Sequence, residues 1–436
     1  MDTHIACCLN VKYALGDLLA QGKTKKMYGV KERSDLAILV SKDDITAGDG
    51  AKHAVLEGKA ILANETTCNV FSLLKTCGVP LAFEEQNSMT SFVAKKCDML
   101  PYEVVVRREA HGSYVKRNPH LKKRHLFPQI LVEFFLKTSN RAWRHYPLPC
   151  DDPLMMYDYD ADTTITLYHP SQPIYDQKPL FSLDESEVFA HEDEGKHFYA
   201  MEHIARKVFL ILEKAWQIEG ATLVDMKVEF GCTEGALLLA DVIDNDSWRV
   251  IEHSAYIDKQ LYRDGETLEA VFESYARVAQ MTRNFRIPRQ QIILWRGSPR
   301  DDFQKFINAL GRFPDLFSVA VVTCSTHKEP ERAVRAFSQL IHDIPDAVVI
   351  AYIGKSNGAG PTLSALSTIP VITVPANLQE FKEDLWSSVR TPRDAPVMTI
   401  LEPENAVLAA LQILSARNPH IYAHLREDVE TRRVNI

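Results

Sequence analysis

Long hydrophobic runs are missing from this sequence of 436 residues, and no stretch of about 18 apolar residues would cross a membrane. The first ten residues, MDTHIACCLN, lack the basic flank and apolar core of a signal peptide. None of the eight cysteines has C-x-x-C spacing, so neither a common zinc motif nor a redox motif is indicated, and a reducing compartment fits best. We therefore expect a cytoplasmic protein without a membrane partner.

An excess of positive charge is also missing. The chain has 50 Lys and Arg residues against 58 Asp and Glu residues, a net charge of -8. This balance argues against a general nucleic-acid binder, because neutralising phosphates usually requires a basic surplus. Apolar residues at 46% and charged residues at 25% are typical of globular proteins, and the length predicts two or three domains.

The part of the chain from residue 292 to residue 436 alternates short apolar runs with helical stretches. The runs read IILW, SVAVV, AVVIAYI, PVITVP and VMTIL, and they are rich in β-branched residues. Strands that are buried on both faces have this composition, and the alternation indicates βαβ units. We predict an α/β domain with a doubly wound parallel sheet.

Residues 1–285 have a mixed pattern. Alternating runs such as LAILVS and YEVVVRR are interspersed with helical segments such as HIARKVFLILEKAW, which predicts an α+β domain with antiparallel sheets. RIPRQQ, residues 286–291, is the expected linker. Residues 139–194 are rich in Asp, Pro and Tyr and lack clear periodicity, which favours an insertion or a mobile lid, with TTITLYH as a possible added strand.

One loop near the C-terminus, YIGKSNGAGPTL, is rich in glycine, serine and lysine. It is not a Walker A loop, which requires a glycine five residues before the Gly354-Lys355-Ser356 triplet. It is not a dinucleotide fingerprint either, because Leu363 stands where the third glycine is required.

Similar small polar residues follow the first three predicted strands of this domain. In an open parallel sheet the ligand crevice lies at the carboxyl ends of the strands, so these residues are expected to meet. Hydroxyls, backbone amides and two lysines there would form a phosphate cradle, and a histidine beside it could transfer a proton. The alternative is that the glycines and serines only turn the chain. The side chains concerned are Ser298, Asp301, Ser325, His327, Lys328, Lys355, Ser356 and Asn357.

The order Gly-Ser-x-x-Asp, Ser-x-His-Lys and Gly-x-Ser-Asn-Gly-x-Gly-Pro resembles the cofactor-independent aminoimidazole ribonucleotide (AIR) carboxylases over residues 291–434. The resemblance implies that the eight side chains and Gly358 bind the ribonucleotide and carbon dioxide, with His327 as the catalytic proton acceptor. It also implies a homo-octamer. The chain departs from the family pattern at Arg296, Thr326 and Lys355.

A second constellation lies in LVDMKVEFG, where Asp225, Lys227 and Glu229 share one face of a strand by period-two geometry. Asp241 follows on the adjacent run LLLADVIDNDSWR. Two carboxylates from neighbouring strands beside a lysine suit a magnesium nucleotide site. Alternating charge on an exposed sheet face is the simpler alternative.

QGKTKKMYGV adds a glycine turn with lysines that could cover nucleotide phosphates. Over residues 13–285 the set resembles phosphoribosylaminoimidazole-succinocarboxamide (SAICAR) synthetase, which joins aspartate to a carboxylated aminoimidazole ribonucleotide with ATP. The resemblance implies that Glu229 and Asp241 bind Mg²⁺ and that Lys227 is catalytic. It assigns ATP to Gly22, Lys23, Lys25, Met99 and Lys137. It assigns the carboxylated nucleotide and aspartate to Asp49, Arg107, Ser113, Asp225, Arg249, Lys259, Gln260 and Arg263.

The two resemblances concern consecutive steps of purine biosynthesis, and together they imply a bifunctional enzyme: a cofactor-independent carboxylase followed by an ATP-dependent ligase. Two rival hypotheses stay open at this point. The first half could be a small-molecule kinase, since glycine turns, lysines and acidic metal ligands also serve phosphoryl transfer. The second half could be a scaffold for assembly without activity of its own.

Overall fold

A computed structural model describes residues 12–47, 52–157, 164–189 and 194–431. The chain forms two compact units. One comprises the chain up to Arg286 together with the segment from Arg426, and the other comprises Ile287–Leu425. No helix among the described residues is both long enough and apolar enough to span a bilayer.

The first unit consists of strands and helices in the following chain order: β1 (Leu15–Gln21), β2 (Lys25–Val30), β3 (Arg33–Ser41), β4 (Asp44–Ala47), β5 (Lys52–Val55), α1 (Lys59–Thr76), β6 (Phe83–Ser88), β7 (Ser91–Lys95), β8 (Asp98–Glu109), α2 (Ser113–Arg117), β9 (Leu126–Leu136), β10 (Ala142–Trp143), β11 (Tyr146–Pro147), β12 (Leu154–Met156), β13 (Thr164–Tyr168), β14 (Phe181–Asp184), α3 (Glu185–Val188), α4 (Glu194–Ile218), β15 (Ala221–Thr233), β16 (Ala236–Ala240), β17 (Trp248–Glu252), β18 (Ala255–Tyr256), α5 (Gln260–Asp264) and α6 (Leu268–Thr282).

Two antiparallel sheets dominate this unit. The smaller has the order β1-β2-β3-β7-β6, and the larger has the order β14-β13-β12-β9-β8-β15-β17-β18, with β16 also paired to β15. Helix α4 lies against β15 and β8, because its apolar residues recur at helical spacing and form one buried face. Phe198, Met201, Ala205 and Val208 belong to that face. Helix α6 begins where the hydroxyl of Thr267 accepts a hydrogen bond from the Ala270 amide.

The Asp/Pro/Tyr-rich stretch is part of the larger sheet. Its strands β12, β13 and β14 pair antiparallel in succession and extend the sheet from β9. Ile165 and Leu167 are fully buried, and the predicted added strand is β13. The described residues therefore build a sheet edge there. A mobile lid, the other expectation for this segment, is not what they form.

The second unit contains β19 (Gln291–Arg296), α7 (Gln304–Leu310), β20 (Ser318–Thr323), α8 (Pro330–Asp343), β21 (Ala347–Ile353), α9 (Ala359–Ala365), β22 (Val371–Pro375), α10 (Asp384–Val389), β23 (Met398–Thr399) and α11 (Pro403–Ser415). The last helix of the chain is α12 (Pro419–Thr431).

All pairings in the second unit are parallel, in the order β20-β19-β21-β22-β23. Alternate residues of each strand enter two separate apolar clusters. Ile292 and Leu294 contact residues of α7 and α11, whereas Ile293 and Trp295 contact residues of α8 and α9. Helices thus cover both faces of the sheet, as the near-continuous apolar runs require. The predicted fold classes of both halves are confirmed.

Candidate functional site

The first unit contains a polar cavity of about 570 Å³ where β8, β15 and β17 lie side by side. Ten of the residues predicted from the sequence line it: Lys23, Lys25, Arg107, Ser113, Asp225, Lys227, Asp241, Arg249, Lys259 and Arg263. The strand register brings several of them together. Asp225 pairs with Arg107 of β8 on one side and with Arg249 of β17 on the other.

Three carboxylates near this cavity each bind one lysine. Lys137 Nζ lies 2.6 Å from Glu229 Oε2, Lys227 Nζ lies 2.7 Å from Glu103 Oε1, and Lys25 is paired with Asp241. Burial and then the charge of Asp241 raise the pKa of Glu229. Burial disfavours the charged form of Lys227, but Glu103 raises the pKa of this amine overall. Two carboxylates that lie near each other disfavour each other's ionised form, and at Glu229 the charge of Lys137 opposes this shift.

Glu229 and Asp241 are a suitable pair for a divalent cation. Strands β15 and β16 pair Glu229 with Ala240, the residue before Asp241, and the charge of Asp241 acts on the Glu229 carboxylate. Among the described residues no group of three or more His, Cys, Asp or Glu side chains forms a complete ligand set. Magnesium is typically held by one or two carboxylates, with the remaining ligands from phosphates and water. The residues therefore fit a Mg²⁺ ion that arrives with a nucleotide.

At the other end of the cavity lies a cluster of arginines. Asp225 Oδ2 accepts hydrogen bonds from Arg107 NH1 and Arg249 NH1, both at 2.7 Å. Gly112 has a left-handed backbone with φ 54°, and a β-carbon there would lie 2.7 Å from Arg249 NH2. Only glycine therefore lets the loop before Ser113 approach the arginine so closely. Backbone amides and paired guanidinium groups suit a phosphate ligand.

The other predicted residues of this half lie beside the cavity or outside it. Gln260 Oε1 accepts weak hydrogen bonds from Arg249 and Arg263, at 3.4 and 3.3 Å. Gly22 donates its amide to Lys25 O in the turn before β2. Met99 is half-exposed on β8 and does not line the cavity. Asp49 lies outside the described residues.

Several residues that line the cavity were not predicted from the sequence: Thr24, Thr46, Glu103, Asp246 and Trp248. Glu103 could have been found, because it lies four residues before Arg107 on the same face of a strand. Asp246 binds Lys259 at 3.2 Å and accepts a hydrogen bond from Tyr275. Burial lowers the pKa of Lys259 even though Asp246 opposes the shift.

In the second unit, the predicted residues lie at the carboxyl ends of β19, β20 and β21. The imidazole of His327 lies against Gly358, where a β-carbon would come within 2.7 Å of His327 Cε1. A β-carbon at Gly354 would lie 3.6 Å from Asp301 Oδ1. The side chains after all three strands therefore converge near the two glycines. Burial raises the pKa of Asp301, whose Oδ2 accepts a hydrogen bond from the Ser298 amide at 3.2 Å.

The glycine-rich loop is held by helix α10. The Lys355 amide donates to Asp384 Oδ2 at 2.6 Å, and the Asn357 amide donates to Ser387 Oγ at 3.1 Å. Lys355 has φ 60°, a left-handed conformation that costs energy for a residue other than glycine. These contacts hold the loop in place, while the side chains of Lys355 and Ser356 are exposed.

Two further observations concern this loop. The buried Asn357 side chain contacts Ser388 Oγ and the Gly360 amide, so it braces the loop from within. Asn377, which follows β22, would contact a β-carbon at Gly354 and was not predicted. In the separate loop after β20, the Lys328 amide donates a hydrogen bond to Ser325 Oγ at 3.3 Å and so forms a turn.

Comparison with known proteins gives two matches on successive parts of the chain. The SAICAR synthetase family matches residues 18–143 and 179–282, and the AIR carboxylase family matches residues 292–434. A Caenorhabditis elegans protein described as "Probable multifunctional protein ADE2" is 33% identical over 96% of this chain and 95% of its own length. A human bifunctional phosphoribosylaminoimidazole carboxylase/phosphoribosylaminoimidazole succinocarboxamide synthetase is 33% identical over 95% of this chain and 94% of its own length. A solved SAICAR synthetase in complex with ADP is 29% identical, with a TM-score of 0.47, and covers 60% of this chain and 96% of its own.

Proposed function

The chain belongs to the bifunctional phosphoribosylaminoimidazole carboxylase/phosphoribosylaminoimidazole succinocarboxamide synthetase family, and from this membership we propose how its residues divide the two reactions. It is an enzyme of purine biosynthesis with a ligase half and a lyase half. The observation that carries this conclusion is the pair of family matches on one chain, shared with relatives over nearly their whole length.

The two rival hypotheses lose their basis. The first half belongs to a ligase family, so a small-molecule kinase is not needed to explain its lysines and carboxylates. The scaffold hypothesis for the second half has no support, because relatives that match along the whole chain are bifunctional by name.

In the lyase half, AIR would react with carbon dioxide without ATP, metal or another cofactor. The electron-rich ring carbon forms a bond to the carbon of CO₂, and the proton of that ring carbon leaves afterwards. We assign this proton to the imidazole of His327, which is exposed at the end of β20. The hydroxyls of Ser298, Ser325 and Ser356, with the amine of Lys328, would hold the nucleotide phosphate.

In the ligase half, ATP would transfer its γ-phosphoryl group to the new carboxylate, and ADP leaves. The aspartate amine then attacks the acyl carbon, loses a proton and displaces phosphate. Lys23 and Lys25 would bind the phosphates of ATP, and Lys227 would stabilise the charge that develops on the acyl group. Mg²⁺, held by Glu229 and Asp241, would neutralise phosphate charge when the nucleotide is bound.

The carboxylated nucleotide would occupy the arginine end of the same cavity. Arg107, Ser113 and Arg249 are assigned to its phosphate, because two guanidinium groups and a hydroxyl meet beside the glycine of the loop. Lys259 and Arg263 line the adjacent wall and are assigned to the aspartate carboxylates. This division places the nucleotide phosphate and the ATP phosphates at opposite ends of one cavity.

The test is a pair of half-reactions on the whole protein. His327→Asn should abolish carboxylation of AIR, by roughly the 10²–10⁴-fold that positioned acid-base groups contribute. Ligation of aspartate should persist when the carboxylated nucleotide is supplied. Wild-type carboxylation should also survive a metal chelator, whereas ligation should not. A His327→Asn variant that carboxylates within a few-fold of wild type would show that another group accepts the proton.

A further inference from the structure

Glu133 on β9 is a largely buried carboxylate, 9% exposed, whose two oxygens bind different arginines. Its Oε2 accepts a hydrogen bond from Arg107 Nε at 2.7 Å, and its Oε1 is paired with Arg117 NH2. Arg107 lines the polar cavity of about 570 Å³ where ligation is proposed, here called the ligase cavity, whereas Arg117 and Glu133 line a second cavity of about 580 Å³. One carboxylate therefore joins the wall of the ligase cavity to a neighbouring region that the proposed reaction does not use.

Arg117 in turn binds the loop between β13 and β14. Its NH1 group donates to Pro170 O at 2.7 Å, and its own backbone carbonyl accepts the Ile174 amide at 2.9 Å. Pro170 and Ile174 fall in residues 144–178, the stretch that the SAICAR synthetase family does not match. The insertion thus contacts both the side chain and the backbone of Arg117.

The side chains in this chain of contacts are all charged, so the position of each one depends on the others. Arg107, Arg117 and Asp225 are buried and the Glu133 side chain is only 9% exposed, so each ion depends on its neighbours for compensation. Glu133 and Asp225 hold the Arg107 guanidinium at Nε and NH1. Without Arg117, Glu133 Oε1 would lose its donor, and the carboxylate could turn away from Arg107 Nε. Arg107 could then rotate about its remaining contact with Asp225.

We propose that Arg117 is a positioning residue of the ligase: held by the insertion at Pro170 and Ile174, it fixes Glu133, which fixes the Arg107 guanidinium for the nucleotide phosphate. The inference rests on the proposed role of Arg107. The insertion would thereby contribute to nucleotide affinity without contacting the nucleotide.

Steady-state ligation tests this with the carboxylated nucleotide and ATP varied separately. Arg117→Met should raise the KM for the nucleotide roughly tenfold, while kcat and the KM for ATP change by less than about twofold. Arg117→Lys should give a smaller shift in the same direction, because an amine lacks the forked geometry that reaches both Glu133 and Pro170. Lys116→Met is the matched control, since Lys116 is an exposed neighbour on the same short helix.

Two comparisons separate positioning from a general loss of structure. If Arg117 acts through Glu133, the double variant Arg117→Met/Glu133→Gln should raise the nucleotide KM no further than the larger single change. Ile174→Pro, which lacks the amide donor that Ile174→Ala keeps, should raise the nucleotide KM relative to Ile174→Ala. The proposal is overturned if the effects of the two single changes on the nucleotide KM multiply in the double variant. It is also overturned if Arg117→Met raises the KM for the nucleotide and the KM for ATP equally.

Arg107→Met distinguishes failure of this inference from failure of the proposed function. If Arg107→Met raises the nucleotide KM and Arg117→Met leaves it unchanged in folded protein, the positioning role alone is wrong. If Arg107→Met leaves it unchanged, the assignment of Arg107 to the phosphate is wrong, and the role of Arg117 is overturned with it.

Discussion

Replacing Gly358 by alanine tests the position of the His327 imidazole separately from its chemistry. Gly358 has φ −82° and ψ −24°, a conformation that alanine adopts without strain. At such positions Gly→Ala substitutions stabilise proteins by about 0.4–1 kcal/mol, because they reduce the entropy of the unfolded chain. The backbone itself therefore gives no reason for Gly358→Ala to destabilise the fold.

The steric effect can be estimated from the contact with the imidazole. The new β-carbon would lie 2.7 Å from His327 Cε1, whereas non-bonded carbons approach to about 3.5 Å. The ring must therefore move by about 0.8 Å or more if the loop keeps its position, as its bonds to Asp384 and Ser387 favour. Misplacing a reacting group by about 1 Å can cost roughly 10²-fold in rate. That factor corresponds to about 2.7 kcal/mol in activation free energy.

The assay is formation of carboxylated nucleotide from AIR and bicarbonate without ATP, with ligation measured on the same preparation. Carboxylation should fall roughly 10²-fold, and ligation of aspartate to supplied carboxylated nucleotide should not change. Gly311→Ala is the control, because Gly311 also has a negative φ but lies at the end of α7, away from the strand ends. The reasoning is refuted if folded Gly358→Ala carboxylates within about threefold of wild type, or if Gly311→Ala loses as much activity.

Three further predictions concern the metal ligands, the pH dependence of ligation and the assembly of the protein. Asp241→Asn should remove ATP-dependent ligation and spare carboxylation, and near-normal ligation by this variant would reject the metal assignment. Because burial and Asp241 raise the pKa of Glu229, ligation should fall as protons displace Mg²⁺ at low pH. Magnesium binds the ionised carboxylate, so a tenfold rise in free Mg²⁺ should shift the low-pH decline of the ligation rate to lower pH by up to about one unit. If the decline does not shift, Glu229 is not the ligand that titrates. The family resemblance predicts a homo-octamer, and light scattering that gives a monomer with full carboxylase activity would contradict it.

The strands of the second unit could be predicted because their signal is local. Ile292, Ile293, Leu294 and Trp295 are consecutive apolar residues, and the pleat sends alternate ones to opposite faces. A run that is apolar at every position must therefore be covered on both sides, which requires helices on both faces. The same period-two argument placed Asp225, Lys227 and Glu229 together on β15 before any tertiary contact was known.

Pairings between distant residues could not be read from the sequence. Lys25 with Asp241 and Lys137 with Glu229 join elements that are far apart in the chain, and nothing in the local pattern selects one lysine for one carboxylate. The spacing of Glu103 from Arg107 could have indicated its position on the strand, but not its pairing with Lys227, which lies on another strand. Gln291, expected in the linker, begins β19, and its side-chain amide is bound by the carbonyls of Leu340 and Ile344.

The sequence alone predicted the two fold classes, the polar residues that follow three parallel strands and ten of the residues that line the ligase cavity, because each depends on periodicity or on a short motif. Only the tertiary structure decided that the insertion extends a sheet, that Glu133 is shared by two arginines and that Gly358 leaves room for His327. These features depend on packing between residues remote in sequence. They are selected by the free energy of the whole fold, and no local pattern encodes them.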